Sequence, residues 1–205
     1  MKKFSLLIII LLVVLILTAF TYEQDQGSDI VLKNHVAYEK DSNILFTGEK
    51  KEYWENGNLK FEKQFVNGKR EGITNSFYKS GELYEVASYK SGVREGDVIA
   101  YHPNGKLKYK ENYRNGQREG VRKDYYRSGA QRAVSSYTNG YLNYSKIYFQ
   151  NGKLQDEQKF LDGKQDGIQK RYYENGQIYW EHFFDKGMPK WFKKYNKNGQ
   201  LIKKQ

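Results

Sequence analysis

The chain has 205 residues, a net charge of +11, no cysteine, 19 tyrosines, 19 glycines and 2 prolines. Without cysteine it has no disulfides, no thiolate catalysis or thiolate metal site, and no attachment residue for a bacterial lipoprotein. A mean hydropathy of −0.90, with many turn formers and aromatic strand residues, excludes a deep aliphatic core and suits a thin repetitive sheet.

Residues 1–21 read as an export signal. Lys2 and Lys3 form a positive start, and twelve unbroken aliphatic residues run from Leu6 to Leu17. All faces of that run are apolar, unlike an amphipathic core helix. It is predicted to be a hydrophobic helix, either a cleaved signal peptide or an uncleaved N-terminal membrane anchor. Both place the rest of the chain outside the cytoplasm, in the periplasm, on the cell surface or in the medium. Residues 22–29 are a polar linker. Residues 30–47 are expected to form a capping hairpin, turning at Asp41-Ser42-Asn43 and covering the open edge of the first repeat.

From residue 48 to 205 the sequence repeats itself about seven times. Gly57, Gly81, Gly105, Gly129, Gly152, Gly176 and Gly199 are spaced 24, 24, 24, 23, 24 and 23 residues apart, each preceded by Asn or Ser. A second series (Gly68, Gly92, Gly116, Gly140, Gly163, Gly187) and a third (Gly48, Gly72, Gly96, Gly120, Gly167) interleave with it. Between the glycines, side chains alternate as in half-buried strands. Three columns are read as the core stripe: the aromatics Tyr53, Phe77, Tyr101, Tyr125, Tyr148, Tyr172 and Tyr195; the Leu83 column; and the column of Phe65, Tyr89, Tyr113, Tyr137, Phe160 and Phe184. Leu83 and Tyr89, six apart, are expected on one strand face.

Asn-Gly between such runs is a strong hairpin signal, because both residues tolerate positive φ. At the second junction Glu71, Glu95, Glu119 and Asp166 are read as turn caps that accept backbone N–H bonds. The junctions after Gly140 and Gly187 are one residue short and lose the third-series glycine, so an irregular register is expected there.

The segments Gly120-Val-Arg-Lys-Asp-Tyr125-Tyr126-Arg-Ser-Gly129, Glu174-Asn175-Gly176-Gln177-Ile178 and Phe46-Thr47-Gly48 resemble the MORN-repeat variant of bacterial YwqK-type antitoxin components. The resemblance covers about residues 44–203. It implies an all-β fold: an elongated single-layer array of antiparallel β-hairpins, a MORN-type repeat solenoid. It implies little about function, since one scaffold hosts unrelated binding roles.

His35, His102 and His182 stand far apart, and no phosphate loop or Ser/His/Asp grouping is present. The chain is therefore read as a non-enzyme with no catalytic residues, metal or cofactor. Surface residues remain. Trp54, Tyr78, His102, Tyr126, Phe149 and Tyr173 form a second aromatic column, each next to a core aromatic and hence on the opposite face. These rings either pack against neighbouring repeats or form a partner-binding face. A basic strip, Lys69, Arg70, Arg94, Arg118 and Lys164, accompanies the turns, as solvated charge or as a seat for anions. The leading reading is an exported scaffold that binds another protein or a cell-surface component. The alternatives are a peripheral binder of anionic phospholipid or glycan, and an antitoxin- or immunity-like protein. Nucleic acid is not expected as a partner.

Overall fold

The computed structural model describes residues 30–205. The hydrophobic helix expected at the N-terminus lies outside the described residues. β1 (Ile30–Lys33) and β2 (Val36–Glu39) form a separate hairpin. The long sheet begins with β3 (Gly48–Tyr53), β4 (Leu59–Val66), the short β5 (Lys69–Arg70) and β6 (Gly72–Phe77). It continues through β7 (Leu83–Lys90), β8 (Val93–Tyr101), β9 (Leu107–Arg114), β10 (Gln117–Tyr125), β11 (Gln131–Thr138) and β12 (Tyr141–Tyr148). It ends with β13 (Leu154–Leu161), β14 (Lys164–Gln165), β15 (Gly167–Tyr172), β16 (Ile178–Asp185), β17 (Met188–Tyr195) and β18 (Leu201–Lys204).

All these strands lie in one antiparallel sheet ordered along the chain and unclosed, with β3 and β18 at its edges. Fourteen strands make up the main path; at ~4.8 Å per strand the sheet spans roughly 60 Å. The elongated single-layer hairpin array expected from the repeats is what the chain forms.

The two junctions turn differently. At Asn67-Gly68, Ser91-Gly92, Asn115-Gly116 and Asn139-Gly140 both residues have positive φ, as a two-residue type I′ hairpin requires. At Asn56-Gly57 only the glycine does (φ +84). There Gly57 N–H bonds the Trp54 carbonyl (2.9 Å) and Trp54 N–H bonds the Asn58 carbonyl (2.8 Å). The same pattern recurs at Tyr78, His102, Tyr126, Phe149 and Tyr173. Asparagine before the first-series glycine therefore does not need its tolerance of the left-handed region.

A bulge after each such turn corrects the core stripe. Phe77 faces Leu83, but Ser76 faces Glu85, so Tyr84 is an extra residue. One inserted residue reverses which face later side chains occupy. Leu83 therefore stays with Phe77 on one face, while Tyr89 joins Glu85 and Ala87 on the other. The same insertion recurs in each repeat as Lys60, Lys108, Arg132, Gln155, Tyr179 and Ile202.

The face carrying Phe65, Ala87, Val98, Ala100 and Ala133 holds the buried apolar side chains and is the packed face of the sheet. Lys63, Thr74, Glu85, Glu111, Asp124, Ser135, Asp156 and Gln169 are buried on it too. Small residues run down its middle, and with no second layer among the described residues they are covered by long side chains from the same face. The opposite, outer face carries the Phe77 and Leu83 columns.

The junctions expected to be irregular do shift register, by a single-residue bulge, and the full-length junctions shift more. Between β7 and β8, Ala87 faces Val98 and Tyr89 faces Arg94, so three residues oppose one. Gly96 (φ +85) makes that wide bulge. Between β11 and β12, one residue fewer leaves a simple bulge, with Ser136 facing Tyr144 and Tyr137 facing Leu142. Shortening the junction removes the extra loop of backbone, and with it the need for glycine. At the β13–β15 junction the fully buried Gln169 fills the gap, accepting from Lys159 N–H (2.9 Å) and donating to the Lys159 carbonyl (3.0 Å).

The N-terminal hairpin reverses at Asn34-His35, both with positive φ, and a second turn at Asp41–Asn43 brings Leu45 back beside Tyr38. It docks on the first type I′ turn: Ala37 N–H bonds the Gly68 carbonyl, and Gly68 N–H bonds the Phe46 carbonyl (both 2.7 Å). A Cβ on Gly68 would lie 2.7 Å from the Ala37 carbonyl oxygen, whereas one on Gly105 would meet nothing within 4 Å. Both glycines have positive φ, so Gly105→Ala is expected to cost only the backbone strain of about 1–2 kcal/mol. Gly68→Ala should add a backbone clash and undock the hairpin. Hydrogen exchange should then accelerate over residues 36–46 in Gly68→Ala alone.

Candidate functional site

The second aromatic column stands on the rim of the packed face, and its polar tips reach the next repeat. Trp54 Nε1–H donates to the Phe77 carbonyl (3.2 Å), and Tyr78 O–H to the Tyr101 carbonyl (2.8 Å). His102 Nε2 meets the Tyr125 carbonyl at 2.9 Å, which fixes Nε2 as its protonated nitrogen. Tyr126 O–H donates to Tyr148 (2.7 Å) and Tyr173 O–H to Tyr195 (3.0 Å). Phe149 has no such donor. The column ends at Asn196, whose side chain folds onto its own turn instead. All six rings are half-buried, and the polar tips of five of them join repeats.

The carboxylates of the second junction do the same at the other strand end. Glu71 accepts Ser91 N–H (2.7 Å), Glu95 accepts Asn115 (2.7 Å), Glu119 accepts Asn139 (2.9 Å) and Asp166 accepts Lys186 (2.9 Å). They are turn caps, each for the following repeat. At the shortened junction Leu142-Asn143 stands in that place, and Asn143 turns back to Thr138 Oγ1 (2.8 Å).

The basic strip divides. Lys69 and Lys164 are exposed at turns. Arg70, Arg94 and Arg118 lie over the rings of Tyr89, Tyr113 and Tyr137 at 5.2, 5.3 and 5.5 Å. Arg94 also pairs with Glu85 (2.7 Å) and Arg118 with Glu111 (2.9 Å). Much of the strip's charge is thus spent inside the sheet.

Simple alternation hides the acids that receive it. Glu85, Glu111, Asp124 and Asp156 are buried on the packed face. Asp124 takes two bonds from Arg122 (2.9 and 2.7 Å), Glu111 takes a third (2.8 Å), and Asp156 pairs with Arg171 (2.6 Å). Burial would lower the Arg122 pKa, but bonding to Asp124 and Glu111 outweighs it and carries the pKa above the ordinary guanidinium value. Burial and a hydrogen bond to the Glu85 carboxylate both push the Tyr109 phenol upward. These groups are held by one another in ion pairs and hydrogen bonds across the packed face. Counting strand parity back from Tyr89, and not forward from Leu83, locates them.

A family model for the MORN repeat variant matches residues 46–67, 70–91, 94–115 and 165–187. These four segments are MORN-type repeats. The unmatched stretch between 115 and 165 contains the Gly140 junction, yet its hairpins continue the same sheet. MORN repeats mediate binding to proteins or membrane lipids and are a scaffold class rather than an enzymatic one. A comparison with curated proteins finds no match.

If the ring tips hold the array together, Tyr78→Phe and Tyr126→Phe should each destabilise it by about 1 kcal/mol, the net worth of one hydrogen bond. Phe149→Tyr supplies the missing hydroxyl opposite the Tyr172 carbonyl and should stabilise by a similar amount. Denaturant unfolding of the three variants checks both signs.

Proposed function

We propose that this MORN array is an exported binding scaffold that docks another protein on its outer face. The observation that carries this reading is a regular apolar stripe with no described element covering it. Tyr53, Phe77, Tyr101, Tyr125, Tyr148, Tyr172 and Tyr195 alternate with their cross-strand partners Leu59, Leu83, Leu107, Gln131, Leu154, Ile178 and Leu201. Beside them Ile73 and Val121 are 51% and 47% exposed. A contiguous apolar band on an otherwise polar protein marks an interaction surface, and rings fixed on a rigid sheet lose little entropy on binding. The positive, aliphatic leader supports export. An immunity-like role fits the same face if the partner is a toxin acting outside the cytoplasm.

A second reading, binding to anionic phospholipid or glycan, rests on a different part of the chain. Residues 186–205 contain seven lysines and no Asp or Glu. Met188, Leu201 and Ile202 are 59%, 51% and 56% exposed among them. Lysines interspersed with exposed apolar side chains suit an anionic surface.

One set of variants separates the two. A photo-crosslinking residue at Val121 should trap a protein adduct in cells, whereas one at Arg132 on the packed face should not. Absence of any adduct from Ile73 or Val121 would remove the leading reading. In vesicle sedimentation with anionic lipid, substituting Ser for Lys193, Lys194, Lys203 and Lys204 should abolish any salt-sensitive binding, with Tyr101 and Tyr125 dispensable. A reporter active only outside the cytoplasm, fused after Gln205, should be active; an inactive fusion would overturn export.

A further inference from the structure

One cavity on the packed face collects more positive charge than the sheet needs. It has a volume of about 490 Å³ and lies between the hairpins around Gly105 and Gly129. Lys108, Arg122, Arg127 and Arg132 all line it, against the carboxylate of Asp124 in the lining and that of Glu111 bonded to Arg122 behind it, so four positive charges less two negative leave a net of two. Elsewhere on this face each buried acid has its cation close by. Here the surplus cations repel one another across a partly buried space, a cost that a bound anion offsets.

The four arise from different parts of the repeat. Arg122 is the fixed element: Asp124 and Glu111 hold its fork, and its guanidinium lies 4.2 Å from the centre of the Tyr109 ring. Lys108 and Arg132 are the extra residues of successive bulges. Lys108 lies over Tyr84 at 4.9 Å, and Arg132 touches Asp124 only at 3.3 Å, with its side chain 47% exposed. Arg127 is exposed in the turn before Gly129.

The repeat does not impose this grouping. The bulge column reads Lys60, Tyr84, Lys108, Arg132, Gln155 and Tyr179 along the chain, with consecutive cations at Lys108 and Arg132 only. The Arg127 column reads Glu55, Lys79, Pro103, Arg127, Gln150 and Glu174. Cations from both columns coincide at this one cavity. Guanidinium forks from two directions suit tetrahedral oxyanions with several acceptor oxygens.

We propose that this cavity binds a phosphate monoester, whose charge of about −2 near neutral pH matches that net of two. Arg122, held by Asp124 and Glu111, forms the fixed positive wall, and Lys108, Arg127 and Arg132 supply the contacts from the solvent side. The site lies on the face opposite the proposed protein-docking stripe and stands or falls independently of it.

The test uses the full-length chain in mild detergent. Calorimetric titration with inorganic phosphate at low ionic strength should show saturable binding, and Arg127→Ser/Arg132→Ser should weaken it at least about tenfold, the scale of losing two charge-assisted contacts. Arg70→Ser, on the same face but outside the cavity, should leave affinity unchanged. Sulfate, also a tetrahedral dianion, should compete for the site. Glycerol phosphate binding as well as inorganic phosphate identifies a soluble ligand, and binding stronger still to phosphatidic acid in mixed micelles identifies a lipid headgroup. Absence of phosphate binding overturns the proposal. So does equal loss in Arg70→Ser, which would mark a diffuse charge effect. Should the double variant melt early, Arg127→Ser alone carries the test, because its side chain is exposed.

Discussion

Hydrogen bonds that cross from one repeat to the next, at both ends of the strands, are what the array depends on. A single sheet has no opposing layer to hold its turns, so each turn must be held by its neighbour. Gly92 N–H reaches the Arg70 carbonyl and Gly116 N–H the Arg94 carbonyl, while the carboxylates of Glu71 and Glu95 satisfy the residues beside them. At the opposite end Tyr78 and Tyr126 close onto carbonyls one repeat on. Buried backbone groups left unpaired would be costly, and this chain pairs them with side chains that would otherwise look like surface ornament.

The same lack of a second layer explains the polar interior. Large aliphatic residues in the middle of a lone sheet would face water. Alanine, serine and threonine sit there instead, beneath arginines and tyrosines that lie across them. Arginine suits that position because its flat fork stacks on a ring while its edge bonds a carboxylate. Arg94 does both, with Tyr113 and Glu85. The high tyrosine content and the high charge of the chain are thus parts of one solution: rings supply cover, and ion pairs satisfy the groups that the cover encloses.

Features that recur are legible in the chain, and features that arise between repeats are not. The glycine ladders keep a fixed spacing, so the hairpin array, the turn positions and the carboxylate caps at Glu71, Glu95, Glu119 and Asp166 can all be read from it. Strand faces cannot, because one inserted residue such as Tyr84 reverses parity without altering the period. For that reason plain alternation puts Leu83 and Tyr89 on one face and conceals the buried acids Glu85 and Glu111. The columns around Trp54 and Arg70 stand out in sequence, but the partners of their polar tips lie about one repeat away. The cavity near Arg122 depends on coincidence between two columns, which no single repeat displays.

The side-chain bonds also have a direction. Thr47, Trp54, Glu71, Tyr78, Glu95, Glu119 and Asp166 each reach toward a residue about 20 positions later in the chain. Apart from the repeat around Phe149 and Asn143, the repeats therefore carry groups that complete their successors, and a new hairpin there meets its caps already in place as it emerges. A chain that appears N-terminus first, from a ribosome or through a membrane pore, can add hairpins one at a time to a finished end. Asn196 departs from this direction and bonds within its own turn.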